Sequence, residues 1–206
     1  MQKINYQLLT DKITDGIVKS GDRPTLLLHA CCAPCASYVL EYLTEYFDIT
    51  VYFYNPNILH AEEYEKRLSE LRRLIGVQPY KGEVSLIEGV YEPEKYLALI
   101  KGMESEPEGG SRCNICLDMR VDETARLAAI EGYDYFATTL TVSPHKNAQL
   151  LNELGYAAAE KHGSVWLPSD FKKRGGYLRS TEICREYDIY RQNYCGCRPA
   201  PEANIG

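Results

Sequence analysis

The residues of this chain best suited to chemistry are its eight cysteines: Cys31, Cys32, Cys35, Cys113, Cys116, Cys184, Cys195 and Cys197. Cys32-x-x-Cys35 and Cys113-x-x-Cys116 have the spacing at which two thiolates share one metal ion or cluster, and Cys195-Gly-Cys197 is tighter still. A single CxxC also fits a thioredoxin-type dithiol, but that leaves Cys113, Cys116, Cys195 and Cys197 idle. A structural zinc or a 4Fe–4S cluster takes about four protein ligands, and seven clustered thiolates are too many for either alone. Cys31 and Cys32 end the apolar run "LLLHACC", where successive strand side chains point to opposite sides, so each can serve a different centre. Cys195 and Cys197 flank a glycine and can diverge in the same way. The simplest partition is four thiolates on a cluster and three on a single metal with an open position, as Lewis-acid or redox chemistry needs. Two structural zincs are the rival, but a doubled cysteine at a strand end makes an odd structural knuckle, and iron–sulfur is favoured. Cys184 lies in the apolar face of "TEICREYDIY" and is expected to be a buried helix residue.

Strands and helices must bring these thiols together, and the chain alternates the two. A helix is expected over Asn5–Lys19, a short buried strand over Thr25–Ala30, and a helix after Pro34 with Ala36, Val39, Leu40, Leu43 and Phe47 at helical spacing. "ITVYFYNPNI" is a second strand stopped by Asn55-Pro56, followed by a helix with Tyr64, Leu68, Leu71 and Ile75 on one face. "EVSLIEG" reads as a strand, "EPEKYLALIKG" as a helix, "ESEPEGGSR" as a loop, and Asn114–Ile130 as a further helix. "YDYFATTL" is a strand, and "SPHKNAQLLNELG" a helix capped by Ser143, opened by Pro144 and stopped by Gly155. "SVWLPSD" reads as the last strand, and a final helix is expected near Thr181–Tyr190. The pattern predicts one α/β domain over residues 1–198, a parallel sheet with flanking helices, and a frayed tail over 199–206. Ligands of such sheets sit beyond the carboxyl ends of the strands, where Cys31–Cys35 and Thr139–Asn147 both fall.

Composition sets outer bounds. The net charge of −6 does not suit a wholesale nucleic-acid binder. Lys161–Arg198 nevertheless carries eight Lys/Arg against four Asp/Glu, a stretch that could face phosphates or be an ordinary solvated face. The 17 tyrosines can stack on bases or line half-buried surface, and the second is the commoner use. Leu26–Ala30 is too short for a signal peptide, and nothing approaches the ~20 apolar residues of a membrane helix. A cytoplasmic location with reduced thiols is expected, which favours metal chemistry over disulfides.

Taken in order, "HACCAPC", "FYNPNI", Cys113-Asn-Ile-Cys116, "FATTLTVSPHKN", "DFKKRGGYLRS" and "YRQNYCGC" resemble the QueH family of epoxyqueuosine reductases, from about Leu26 to Cys197. The resemblance implies the last step of queuosine synthesis, in which an epoxide on the cyclopentane ring of a modified guanine, at the tRNA wobble position, is reduced to an alkene without cobalamin. It also implies a 4Fe–4S cluster beside a mononuclear iron. By that likeness the seven motif cysteines carry both metals; of these, Cys32, Cys113, Cys116 and Cys195 are assigned to the cluster and Cys31, Cys35 and Cys197 to the iron, although which of two neighbours turns which way is not fixed by sequence. In some members a carboxylate stands at the place of Cys35, and a thiolate there makes the iron site softer. The fold is similar to that of the adenine-nucleotide alpha-hydrolase-like, Rossmann-like group of ATP-using tRNA thiolation enzymes. Their pyrophosphate loop is replaced here by "HACCAPC", which lacks its glycines, so no ATP dependence is expected.

Removing the epoxide oxygen as water takes two electrons and two protons. The chemistry permits a mononuclear iron acting as Lewis acid on the epoxide, with the cluster passing electrons from an external donor such as ferredoxin or flavodoxin. His145 and Tyr177 are the proton-donor candidates, and His29, inside the apolar strand, is the poorer one. Lys146, Lys172, Lys173, Arg174 and Arg179 are the candidates for tRNA phosphates, and Tyr177 or Tyr194 could stack on a base. Two other classes remain open on sequence: a cluster-dependent, ATP-using tRNA thiolase, and a metal-carrying scaffold without turnover.

Overall fold

The computed structural model describes residues 4–197. Its elements in chain order are α1 (Tyr6–Ser20), β1 (Thr25–His29), α2 (Ala33–Leu43), β2 (Asp48–Phe53), α3 (Ala61–Val77), β3 (Val84–Glu88), α4 (Pro93–Leu99), α5 (Ser111–Glu131), β4 (Tyr135–Thr138), α6 (Ala148–His162) and α7 (Gly176–Glu186). The expected tail over 199–206 lies outside the described residues.

The four strands form a parallel sheet in the order β3-β2-β1-β4. β1 sits in the middle, and its Leu26, Leu27 and Leu28 are fully buried because helices cover both faces. The pleat divides them: Leu26 and Leu28 join the core under α1, α2, α3 and α7, while Leu27 joins the core under α5 and α6. Cys184 lies in the first of these cores at 2 % exposure. A third apolar cluster holds Tyr96, Ile100, Met119, Cys116 and Cys197. The chain winds one way through β2 and β3 and the other way to β4, so the order reverses between β1 and β4. In parallel α/β sheets that reversal opens a crevice at the strands' carboxyl ends.

Four local expectations fail. The helix after β4 starts at Ala148 rather than at Pro144, because the Asn147 side chain caps it by accepting from the Gln149 and Leu150 backbone N–H groups. Residues Thr139–Val142 form a 3-10 turn instead, so His145 stands in a loop ahead of α6. Gly155 does not stop α6; it lies inside the helix, where a Cβ would come within 2.3 Å of the Trp166 ring. The stop is Gly163, in the left-handed region at φ 73°. "SVWLPSD" makes a lone parallel bridge, Phe136 to Trp166, rather than a strand. The last helix begins at Gly176, five residues earlier than expected, and ends at Glu186.

Candidate metal centre

β1 ends at His29, and the next residues turn sharply into α2. Cys31 lies in a bend, and Cys32 is the extended N-cap of α2. Cys35 follows in the first helical turn, where the helix dipole favours negative charge. The sulfurs of Cys31, Cys32 and Cys35 all lie within 4.8 Å of one another, and those of Cys31 and Cys32 are 3.5 Å apart. Tetrahedral thiolates on one ion, each at about 2.3 Å, stand at a similar mutual separation. All eight cysteines are free thiols, so no disulfide competes for them.

The three thiols bear on one another's protonation. Hydrogen bonds from Cys31 and then Cys35 push Cys32 well down, while Cys31 is pushed up to about 11, first through Cys32. Cys35 is also held up, first by Cys31 and then by Cys32. One thiolate is stable here and suppresses its neighbours, as coupled acids do. A cation seated among the three would reverse that suppression.

The other thiols form a second group. Cys113 and Cys116 lie at the amino end of α5, and the Gly109 N–H donates to the Cys113 sulfur at 3.3 Å. Cys116, Cys197 and Cys195 pack together with Tyr96 and Met119. Gly196, at φ 95°, turns the chain between Cys195 and Cys197, a conformation that favours glycine. The two flanking thiols then meet instead of diverging: Cys197 pushes Cys195 down, and Cys195 pushes Cys197 up.

By proximity the thiols group as Cys31, Cys32 and Cys35, and as Cys116, Cys195 and Cys197 with Cys113 one turn before Cys116 on α5. The sequence assignment instead puts Cys32 with the second set and Cys197 with the first. Strand alternation does not apply at Cys31 because the strand has already ended at His29.

A cavity of about 750 Å³ opens over the first group. Its walls include Cys31, Cys32, Cys35 and Cys195, Asn55 and Asn57 after β2, His145 and Lys146 after β4, Tyr177 on α7, and Arg191 to Tyr194. It stands at the carboxyl ends of β1, β2 and β4, beside the reversal in strand order.

Buried arginines surround the thiols, and sequence reasoning missed them. Arg120 is 2 % exposed and its Nε donates to the Cys116 carbonyl at 3.0 Å. Burial opposes its charge, yet the thiolates of Cys116, Cys195 and Cys31 raise its pKa. Its signal was present: a cation four residues after Cys116, within the buried face of α5 that also holds Leu117, Val121 and Thr124. Asn55, also missed, donates to the Ala30 carbonyl at 2.9 Å and ties the end of β2 to the end of β1.

The remaining candidates divide. His145 and Tyr177 line the cavity, as does Lys146, which ion-pairs with Glu108 at 3.5 Å. Burial opposes the Lys146 charge, but the Cys195 thiolate raises its pKa. His29 is fully buried, 2.9 Å from Thr138 Oγ1 and 3.1 Å from the Tyr54 carbonyl, and burial pushes it down to about 4. It is a neutral core residue. Lys172, Lys173, Arg174 and Arg179 stand away from the cavity walls. Three of them are engaged: Lys172 with Asp170 at 2.8 Å, Arg174 with Asp11 at 2.5 Å, and Arg179 with Glu41 at 2.5 Å. The exposed Lys173 stands beside them.

A doubly covered parallel sheet with a thiol-lined cavity at its switch point defines an α/β protein equipped to bind metal. The family profile described as "Epoxyqueuosine reductase QueH" matches residues 26–202, and the chain belongs to that family. Curated relatives named "Epoxyqueuosine reductase QueH" include one from Streptococcus pyogenes serotype M1, 48% identical over 95% of this chain and 78% of its own. One from Staphylococcus epidermidis is 48% identical over 95% of this chain and 84% of its own. One from Thermotoga maritima is 35% identical over 84% and 88% respectively. Among solved structures, the NMN synthetase from Francisella tularensis superposes with a TM-score of 0.37 at 10% identity, covering 96% of this chain and 79% of that one. No helix of the described residues is long and apolar enough to cross a membrane.

Proposed function

We infer that this chain reduces the epoxide of epoxyqueuosine in tRNA to the alkene of queuosine, using two metal centres held by seven cysteines. The observation that carries the reading is the convergence of Cys31, Cys32, Cys35 and Cys195 on one cavity, in a member of a family of epoxyqueuosine reductases. The donor set suits the metals: thiolates are soft ligands, and those here are buried or half-buried, unbridged by disulfides and flanked by cations. Cys31, Cys32 and Cys35 would hold a mononuclear iron on the cavity side. Cys113, Cys116, Cys195 and Cys197 would hold a 4Fe–4S cluster behind it. When bound, the two centres supply Lewis acidity toward the epoxide oxygen and single electrons from an external donor such as ferredoxin or flavodoxin.

The reaction consumes two electrons and two protons, breaks both C–O bonds of the epoxide, and releases the oxygen as water. The chain's own residues supply what metals do not. His145 and Tyr177, on the cavity wall, deliver protons to the leaving oxygen. Arg120, with Lys146, offsets the negative charge of the thiolates, which would otherwise repel incoming electrons. The modified base must leave its stack to reach the thiols, and Tyr177 and Tyr194 offer aromatic faces at the cavity. The loop after β1 holds three cysteines and no glycine, which fits a reaction without ATP.

Anaerobic incubation of epoxyqueuosine-containing tRNA with the protein and a chemical reductant tests this. Mass spectrometry of the digested tRNA is expected to show a nucleoside lacking one oxygen, without added ATP. No loss of oxygen, or an ATP-dependent gain of sulfur, would overturn it.

A further inference from the structure

Residues 187–197 follow α7 without regular structure, yet they carry Cys195 and Cys197 and form one wall of the cavity. Residues 187–197 have no helix or strand ladder of their own, and much of what fixes them comes from elsewhere in the fold. One face of α3 supplies such contacts. Arg67 is 3 % exposed, and its guanidinium donates to the carbonyl of Cys195 at 3.0 Å and to that of Tyr194 at 3.1 Å. Its Nε pairs with Glu63 at 2.6 Å, which fixes the plane of the fork. One and two turns along the helix, Glu70 accepts from the Tyr190 N–H at 2.9 Å and Arg73 donates to the Tyr187 carbonyl at 2.8 Å. Beyond the fork, the Leu59 N–H donates to the Gly196 carbonyl at 3.1 Å.

We propose that Arg67 is the positioning residue of the second metal centre: its fork on the Tyr194 and Cys195 carbonyls sets the Cys195 and Cys197 sulfurs in place before metal arrives. This rests on the two-centre reading for its consequence, though not for the clamp itself. The geometry favours a clamp over a charge effect alone. A guanidinium presents donors in a rigid plane and can satisfy Glu63 and two carbonyls at once; an ammonium on a flexible stem cannot hold that plane. The carbonyls it serves belong to Cys195 and its neighbour, so rotation of the fork moves the ligand directly.

The test compares the intact chain with Arg67→Lys and with Glu63→Gln/Arg67→Met, the second removing the carboxylate that would otherwise be stranded. Hydrogen exchange on metal-free protein is read first. Both variants are expected to exchange residues 187–197 about tenfold faster or more, with the four strands unchanged. After anaerobic reconstitution, both are expected to lose most acid-labile sulfide while keeping about one iron per chain. Unchanged exchange, or full recovery of both readouts by Arg67→Lys, would overturn the proposal. A wild-type protein that takes up no sulfide would instead sink the two-centre reading, and the exchange comparison would still judge the clamp.

Discussion

Cys32 and Cys197 are where the residue scale decides most. Spacing makes seven cysteines the candidate ligands, because CxxC pairs suggest shared ligation whatever the fold. Spacing does not give their partition, which depends on which way a side chain turns in a bend. Cys32 turns its sulfur to within 3.5 Å of Cys31, and the positive φ of Gly196 brings Cys197 toward Cys195. The geometric grouping makes opposite demands of two single variants. Cys32→Ser should lose about one iron per chain and keep its sulfide, whereas Cys197→Ser should lose most sulfide and keep about one iron. Iron and sulfide analysis of the two proteins reads the difference; the reverse pattern would support the sequence assignment, with Cys32 on the cluster and Cys197 on the iron. Arg120 was missed for a different reason. A buried cation looks like a helix-surface charge until the acceptors around it are known.

At the scale of elements, α6 shows how local signals can mislead. Ser143-Pro144 has the form of a helix start and Gly155 that of a stop, yet Asn147 caps the helix and Gly155 is packed within it. The glycine serves close approach: the Trp166 ring lies where a Cβ would be, and its indole N–H donates to Asn152 at 3.0 Å, so the ring is not free to retreat. Gly155→Ala should therefore destabilise by about 2 kcal/mol despite alanine's better helix propensity. That corresponds to a melting temperature lower by roughly 4–8 °C, read by thermal denaturation of the metal-free protein. An unchanged or higher melting temperature would mean that Trp166 shifts freely. The strands and most other helices were legible, since their hydrophobic periods are long and unambiguous. The segment around Trp166 was not, because a single bridge leaves the same apolar signature as a short strand.

The whole molecule carries a net charge of −6, so tRNA must be met at a restricted place. The basic stretch near the carboxyl terminus suggested Lys172, Lys173, Arg174 and Arg179, but Asp170, Asp11 and Glu41 engage three of them. The exposed Arg191 instead stands at the cavity wall, its guanidinium 6.0 Å from the Tyr177 ring. Arg191→Ala is expected to weaken tRNA binding and to reduce the slope of log affinity against log salt by about 1. The Lys172→Ala/Lys173→Ala/Arg174→Ala variant should change that slope less, since the charges it removes are already largely paired. Filter binding across a salt series compares them, and a larger effect of the triple variant would move the docking surface away from the cavity.

The sheet, its switch point and the segment strapped to α3 converge on one claim, that seven thiols are held ready for two inorganic centres. Quantifying iron, zinc and acid-labile sulfide in protein purified without oxygen tests it most directly. About five irons and about four sulfides per chain are predicted. Stoichiometric zinc with no sulfide would contradict it.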